Sequence, residues 1–389
     1  MLSESETMSR FFESWRRSIF DPDIPFRRKA LDVFRHQVSH VPIYARFCDT
    51  LGIDLSAESD DDNTTGSDDD NTTGSDIDNT TGSDIDPTTG SGINPPSGPK
   101  KNPAISQYSD AAIPLMPIQV FRDLLIRPDY LTIPEAVFRS SGTSGSRQST
   151  HEIADLTLYE ESCLRGFGRF YDPEQFAVRA WLPGYSDNPN SSLVAMIDTL
   201  IRHDRSGLSR FLPLDQPMHE SDFDDIREQN KRIMLFGAAF GLMDLVDSGA
   251  PALPSGSVVV ETGGMKTRRR EIPKQELHHR LAEGFAIPRD AVHSEYGMAE
   301  MCSQAWNNGS GWFACPPWLK ITIRDPQYPM ELLSPGKEGL IGVADLANVH
   351  SLSFILTQDR GVMRQDGTFQ VLGRWDHAEL RGCNFLMES

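Results

Sequence analysis

Between Leu156 and Gly284 the chain alternates segments of two periodicities, and this alternation limits the folds open to it. Leu156–Phe170, Ser192–His203, Ala239–Val246 and Pro273–Gly284 carry apolar residues at helical spacing. Ala177–Leu182, Ile233–Phe236 and Val258–Glu261 are short, apolar-rich runs of strand type. Strands alternating with helices predict an α/β core. Beyond Trp318 the pattern changes to short strands at Leu319–Ile323, Gly339–Ala344, Phe354–Leu356 and Thr368–Leu372, which predict a smaller β-rich subdomain. Residues 1–56 read as helical. Leu31, Phe34 and Val38 stand at i, i+3 and i+7, and Pro22, Pro25 and Pro42 mark breaks between short helices. The helix with Trp15, Arg16 and Arg17 reads as an amphipathic surface helix.

A second feature interrupts the first. From Ser59 an eight-residue unit repeats as SDDDNTTG, SDDDNTTG, SDIDNTTG and SDIDPTTG, ending in a Pro/Gly-rich run to Pro103. So few apolar residues cannot offset the entropy of ordering the chain, so the segment reads as a disordered insertion. Calcium binding is the sharper alternative, but the unit has neither the spacing and terminal Glu of an EF-hand nor a β-helix repeat pattern. The repeat also dominates the charge. The 389 residues carry a formal charge of −19; ten Asp and no Lys or Arg fall between Ser59 and Ser91, leaving −9 for the remainder. No broad basic field exists to attract a phosphodiester backbone, which argues against nucleic acid as a partner.

Five cysteines, Cys48, Cys163, Cys302, Cys315 and Cys383, are widely spaced without a C-x-x-C pair, so neither a zinc site nor a disulfide framework is suggested. The N-terminus lacks a signal-type apolar run, and no stretch is long and apolar enough for a transmembrane segment. These features predict a reduced, cytoplasmic protein.

The stretch from Val137 to Ser149 carries the first chemical signal. Six of the ten residues Ser140–Ser149 are Ser or Thr, and Gly142 and Gly145 add backbone freedom. Many hydroxyls and N–H groups with little bulk suit a loop that wraps phosphate oxygens. It is not a Walker A loop, since no Lys follows its second glycine. Its flanks, Ala136-Val137-Phe138 and His151-Glu152-Ile153, read as strands, predicting a hairpin with the loop at its tip.

Four stretches in order resemble the adenylate-forming superfamily of acyl and aryl ligases. The Ser140–Ser149 run resembles its phosphate loop. Ser294-Glu295-Tyr296-Gly297-Met298-Ala299-Glu300 resembles its Y-G-x-T-E motif. Thr357-Gln358-Asp359 is similar to its T-G-D, and Gly373-Arg374-Trp375-Asp376 to its G-R-x-D hinge. More narrowly, Glu261-Thr262-Gly263-Gly264-Met265-Lys266 and Glu379-Leu380-Arg381-Gly382-Cys383 resemble the LuxE-type acyl-protein synthetases, as do the helical start and Phe34–Asp54. The departures are Ala299 for the usual Thr, Gln358 for the usual Gly, and Gln148 where the superfamily's loop carries Lys. Most of these ligases continue past the hinge into a mobile domain with a catalytic Lys; here thirteen residues follow Asp376.

The resemblance implies a fold and a chemistry. The fold is the α/β adenylate-forming large domain with a β-rich C-terminal subdomain, lacking the mobile domain. The expected divisions are a helical segment 1–58, the repeat and linker 59–103, a core 104–376, and a mobile tail 377–389 carrying Cys383. The implied reaction is attack of a carboxylate, from a fatty or other acid, on ATP to give acyl-AMP. Ser140, Ser141, Gly142, Thr143, Ser144 and Gly145 would hold phosphates. Glu300, with Thr143, would hold Mg²⁺. Tyr296 would lie against the adenine, with Gly297 allowing close approach. Asp359 would accept the ribose hydroxyls and Arg374 would pair with ribose or phosphate. Cys383, with Arg381 beside it to favour the thiolate, would carry the acyl group on to a partner such as an acyl reductase or acyl carrier. The alternatives are direct transfer to coenzyme A or another thiol, and an inactive scaffold subunit. Cys302 and Cys315 read as structural, and His278, His279 and His293 show no ligand spacing.

Overall fold

The computed structural model describes residues 4–53, 113–140, 147–184, 187–263 and 272–375. The octapeptide repeat, five of the expected phosphate-loop residues (Ser141, Gly142, Thr143, Ser144 and Gly145), Met265 and Lys266, and the tail with Asp376 and Cys383 lie outside them.

The chain opens with three helices, α1 (Glu4–Phe20), α2 (Phe26–His40) and α3 (Pro42–Thr50). Pro42 takes the first turn of α3, where its missing N–H costs no hydrogen bond. Leu31 and Phe34 are buried and Val38 half-buried, as their spacing requires. Phe34 and Tyr44 pack on the Phe354 ring, each 6.2 Å away, and the Tyr44 hydroxyl donates to the Pro114 carbonyl at 2.7 Å. Buried Gln37 uses its whole amide. Nε2 donates to the Asn348 and Val349 carbonyls at 3.0 and 3.1 Å, while Oε1 accepts from Ser353 N at 3.1 Å. The helices are thereby tied to residues 348–354. In α1, Trp15 is half-buried against His36, 5.0 Å between rings, so that helix packs inward on one side.

After β1 (Met116–Pro117) and the short α4 (Val120–Asp123) comes a hairpin of β2 (Ala136–Arg139) and β3 (Thr150–Ile153). Its strands are antiparallel with Arg139 opposite Thr150, the expected arrangement. Phe138 buries the hairpin against Tyr159, 4.9 Å between rings.

The α/β core follows as α5 (Leu156–Phe170), β4 (Phe176–Trp181), α6 (Ser192–His203), β5 (Arg210–Phe211), α7 (Asp224–Glu228), β6 (Arg232–Ala238), α8 (Ala239–Asp247), β7 (Val258–Thr262), α9 (Lys274–Gly284), β8 (Val292–Tyr296) and β9 (Ala305–Asn307). Asp155 and Ser191 cap α5 and α6 by accepting from Leu158 N and Val194 N. The strands form one sheet in the order β5-β4-β6-β7-β8-β9, parallel except for β9. Alternate residues feed two cores. Met234, Phe236, Val258 and Val260 join Leu158, Phe167, Met196 and Ile197 of α5 and α6. Ile233, Leu235 and Val259 join Leu242, Met243, Leu277 and Leu281 of α8 and α9. Helices on both faces explain why β6 and β7 are continuously apolar rather than alternating.

The β-rich part is a second sheet. β10 (Leu319–Arg324), β11 (Glu338–Asp345) and β12 (Phe354–Met363) pair antiparallel; β13 (Phe369–Arg374) and, in parallel, β1 join β12. The sequence reading placed β12 at Phe354–Leu356. The strand instead runs on to Met363: polar Thr357, Gln358 and Asp359 are buried, and β13 takes up the ladder at Asp359 opposite Arg374. β8 was not anticipated either, since His293, Ser294 and Glu295 make it mostly polar. No helix among the described residues is long and apolar enough to cross a membrane.

Candidate functional site

The C-terminal ends of parallel strands in an open α/β sheet are the usual ligand-binding edge, and β8 ends there with Tyr296. Its ring packs between Phe313 and Phe369, with centroids 5.9 and 5.6 Å away. Its hydroxyl donates to Asp359 Oδ2 at 2.9 Å, and Arg374 Nε donates to Oδ1 at 2.9 Å. Both partners of Asp359 thus come from motifs far away in sequence, one on β8 and one on β13. Each carboxylate oxygen retains acceptor capacity. Asp359 is buried while Arg374 is 52% exposed in its side chain, so the pair sits at a surface. Burial, then the Asp359 charge, pushes the Tyr296 phenol well above its ordinary range, keeping it a donor.

The turn after Tyr296 carries Glu300, which is buried and not in a helix. Desolvation raises its carboxyl above the usual range; the Ser149 hydroxyl, the Glu300 N–H and Arg374 oppose the rise, and Asp359 adds to it. Ser149 Oγ is buried and meets hydrogen-bond geometry with no partner, although it faces the Glu300 carboxyl. The base of the Ser/Gly loop is closed by two bonds, Ser140 N to the Ser149 carbonyl at 3.2 Å and Ser149 N to Ser140 Oγ at 3.0 Å. Ser140 is therefore partly committed to closing the hairpin, and its O–H is what remains for a ligand. Tyr296, Glu300, Asp359 and Arg374 thus interact electrostatically, and Ser149 links Glu300 to Ser140 at the base of the loop.

Gly297 also has a local structural reason. A side chain there would run into the Glu295 carboxyl, so the glycine makes room for the protein's own buried acid. Burial pushes Glu295 up to about 7; the Thr262 hydroxyl, which donates to Oε2, pulls it down, and Glu261 pushes it further up. On the next register pair the sheet buries Glu261 beside Ser294. Burial alone would raise the Glu261 carboxyl, but an ion pair to Lys274 and a 3.2 Å contact to His278 Nε2 outweigh it and hold it at about 2. His278 also lies 3.2 Å from Ser294 Oγ. Lys274 Nζ sits 5.9 Å from the Phe313 ring, which also flanks Tyr296, so this cluster borders the Tyr296 group. His278 was set aside in sequence for want of ligand spacing. Its partner Glu261 is 17 residues away, a separation only the fold brings together.

A cleft of about 530 Å³ opens at the ends of β4 and β5, lined by Leu182, Phe211, Leu212, Leu214, Asp187 and Asp215 among others. None of the Tyr296, Glu300, Asp359 and Arg374 side chains lines it. Among the described residues no cluster of three or more His, Cys, Asp or Glu is arranged to hold a metal. Cys48, Cys163 and Cys302 are buried, and Cys315 is half-buried with its thiol pushed up to about 12 by burial.

Residues 203–389 match the family model described as acyl-protein synthetase, LuxE, so the resemblance to that family holds over this part of the chain. No curated protein gives a significant sequence match. Among solved structures, the chain is similar to an O-succinylbenzoate coenzyme A synthetase (MenE) from Bacillus subtilis in complex with AMP. That match has 19% identity and a TM-score of 0.42, and covers 61% of this chain and 49% of the other. ATP-bound MatB from Rhodopseudomonas palustris gives 17% identity, a TM-score of 0.43 and coverages of 61% and 48%. A luciferase-like enzyme from the mealworm Zophobas morio gives 16% identity, a TM-score of 0.43 and coverages of 64% and 59%. The chain spans about half the length of the first two.

Proposed function

We propose that this chain, LuxE-like over residues 203–389, activates a carboxylic acid with ATP and then carries the acyl group on Cys383. The observation that carries the reading is the convergence of Tyr296, Glu300, Asp359 and Arg374 beside the base of the Ser140–Ser149 loop. An acid carboxylate oxygen bonds to the α-phosphorus of ATP, the bond to the bridging oxygen breaks, and pyrophosphate leaves. The Cys383 thiolate then attacks the acyl carbonyl, and AMP leaves as the thioester forms. Positioning and charge stabilisation, rather than covalent help, are what the first step needs from the protein.

The residues suit those roles. Asp359, pre-oriented by Tyr296 and Arg374, has acceptor capacity left for two ribose hydroxyls, and Tyr296 forms the wall for the base. Ser140, Ser141, Thr143 and Ser144, with the N–H groups around Gly142 and Gly145, hold phosphate oxygens. Glu300 fits a divalent cation because burial has left its carboxyl short of solvation, and the buried Ser149 hydroxyl faces it. Mg²⁺ held by Glu300 and Thr143, with phosphate oxygens completing its shell, would supply charge neutralisation. We assign the core that does this to residues 104–376 and the carrier tail to 377–389. A fatty acid is the proposed substrate and an acyl reductase the proposed recipient, both on the LuxE likeness.

ATP–pyrophosphate exchange over a panel of carboxylic acids tests the reading. Glu300→Ala is expected to cut exchange by about a hundredfold or more, and Thr143→Ala by less because other hydroxyls remain. A wild-type chain that neither binds ATP nor exchanges pyrophosphate with any acid refutes it.

A further inference from the structure

Two consecutive carbonyls in the turn after Tyr296 are each held by a buried side chain. His151 Nδ1 lies 2.8 Å from the Ala299 carbonyl oxygen, and Asn348 Nδ2 donates to the Glu300 carbonyl at 2.8 Å. The holders come from separate parts of the molecule. His151 is on β3, two residues after Ser149, which closes the Ser/Gly loop. Asn348 is in the turn Leu346–Asn348 between β11 and β12, the strand that carries Asp359. We infer that His151 and Asn348 are positioning residues that fix the Glu300 carboxyl between the phosphate-loop base and Asp359, and so set its affinity for a nucleotide-bound divalent cation. The inference rests on the reading of Glu300 given above and adds to it the device that aims the carboxyl.

Each holder is itself over-determined. A carbonyl can only accept, so the His151 proton is on Nδ1. Burial holds the imidazole at about 4 against the Ala299 carbonyl and Asn348, so it stays neutral at pH 7 and brings no positive charge to compete with a cation. Its ring meets Phe121 edge-on at 5.4 Å, fixing its plane. Asn348 gives its second N–H to the Leu352 carbonyl at 2.8 Å, accepts from Cys302 Sγ at 3.4 Å, and offers its own carbonyl to Gln37. With both carbonyls pinned, the Glu300 Cα has little freedom to rotate, and a carboxylate held in place loses less entropy when it takes up a cation.

The test uses Mn²⁺·ATP as probe, followed through the electron paramagnetic resonance signal of free Mn²⁺. His151→Phe keeps a ring against Phe121 but withdraws the donor; His151→Asn returns an N–H near the Nδ1 position. The expected result is about a tenfold weaker Mn²⁺·ATP affinity in His151→Phe, the size of one lost hydrogen bond. Most of it should be recovered in His151→Asn, with ATP affinity in EDTA unchanged in both. In exchange assays the Mg²⁺ concentration for half-maximal rate should rise by a similar factor, with the rate at saturating Mg²⁺ restored. Should His151→Phe not fold, Asn348→Ser withdraws the donor from Glu300 and must give the same split. An unchanged Mn²⁺·ATP affinity, or an equal loss for metal-free ATP, overturns the inference alone. A wild-type chain that binds metal-free ATP but gains nothing from Mn²⁺ overturns it together with the role given to Glu300.

Discussion

Replacing Glu295 by Gln tests the reasoning about buried charge without reference to catalysis. The carboxyl lies on β8 with Thr262 donating to one oxygen and the other lying in the space a side chain at Gly297 would need. The groups that bear on it are Glu261 on β7, Lys274 on α9, and Tyr159 and Cys163 on α5. Burial moves its titration from 4.5 to about 7. Between those values the folded chain keeps a proton that the unfolded chain has released. Stability therefore falls as pH rises through this window and levels off above it. Each tenfold change in proton affinity is about 1.36 kcal/mol, so the cost of ionising the group in place approaches about 3 kcal/mol. Glu295→Gln keeps the shape and an acceptor for Thr262 but has no charge to bury. Urea unfolding of both proteins at pH 5 and pH 8.5 separates this term from everything else the substitution changes. The advantage of Glu295→Gln over wild type should grow by about 2–3 kcal/mol between the two pH values. Growth below about 0.5 kcal/mol, within the range of an ordinary surface substitution, would refute the buried-acid account.

Asp359→Asn replaces one of the two oxygens that accept from Tyr296 and Arg374 by an NH2 and removes the charge beside Arg374. It should raise the KM for ATP in pyrophosphate exchange by about 10- to 100-fold, as for loss of a charged hydrogen bond; an unchanged KM contradicts the ribose role. Cys383→Ser should abolish hydroxylamine-sensitive labelling by radioactive acid plus ATP while leaving exchange intact. Label appearing on Cys302 or Cys315 instead would be unexpected chemically, since burial raises both thiols and suppresses the thiolate, and would remove Cys383 from the scheme.

The elements legible in sequence were those whose boundary chemistry is local. α5 and α6 begin and end where the apolar spacing places them, because Asp155 and Ser191 cap them one residue upstream. The missed elements owe their existence to distant partners. His293, Ser294 and Glu295 were given no element from the sequence; they are a buried strand whose side chains find hydrogen-bond partners in Tyr171, His278 and Thr262. β12 continues through Thr357, Gln358 and Asp359 because β13 pairs with it there. The same holds for the site. The motifs announced Tyr296, Glu300, Asp359 and Arg374 as individuals, but the bond between Tyr296 and Asp359 spans 63 positions. Nothing in the spacing connects His151 or Asn348 to Glu300. Hydrogen-bond partners across sheets have no period, so they surface only when the sheets are assembled.

The strand order has a consequence for where this chain can be divided. The family match begins at residue 203, yet β4, at Phe176–Trp181, lies between β5 and β6. A recombinant piece starting at 203 would leave the seven-residue β6 with a naked backbone edge and strip β5 of its neighbour. It would also lose β1 from the side of β12, and the α5 and α6 face that covers Met234, Phe236, Val258 and Val260. An open, apolar edge of that kind seeks a strand from another molecule. The matched segment is thus not a unit of folding, and an autonomous fragment must begin far enough upstream to include β1 at Met116.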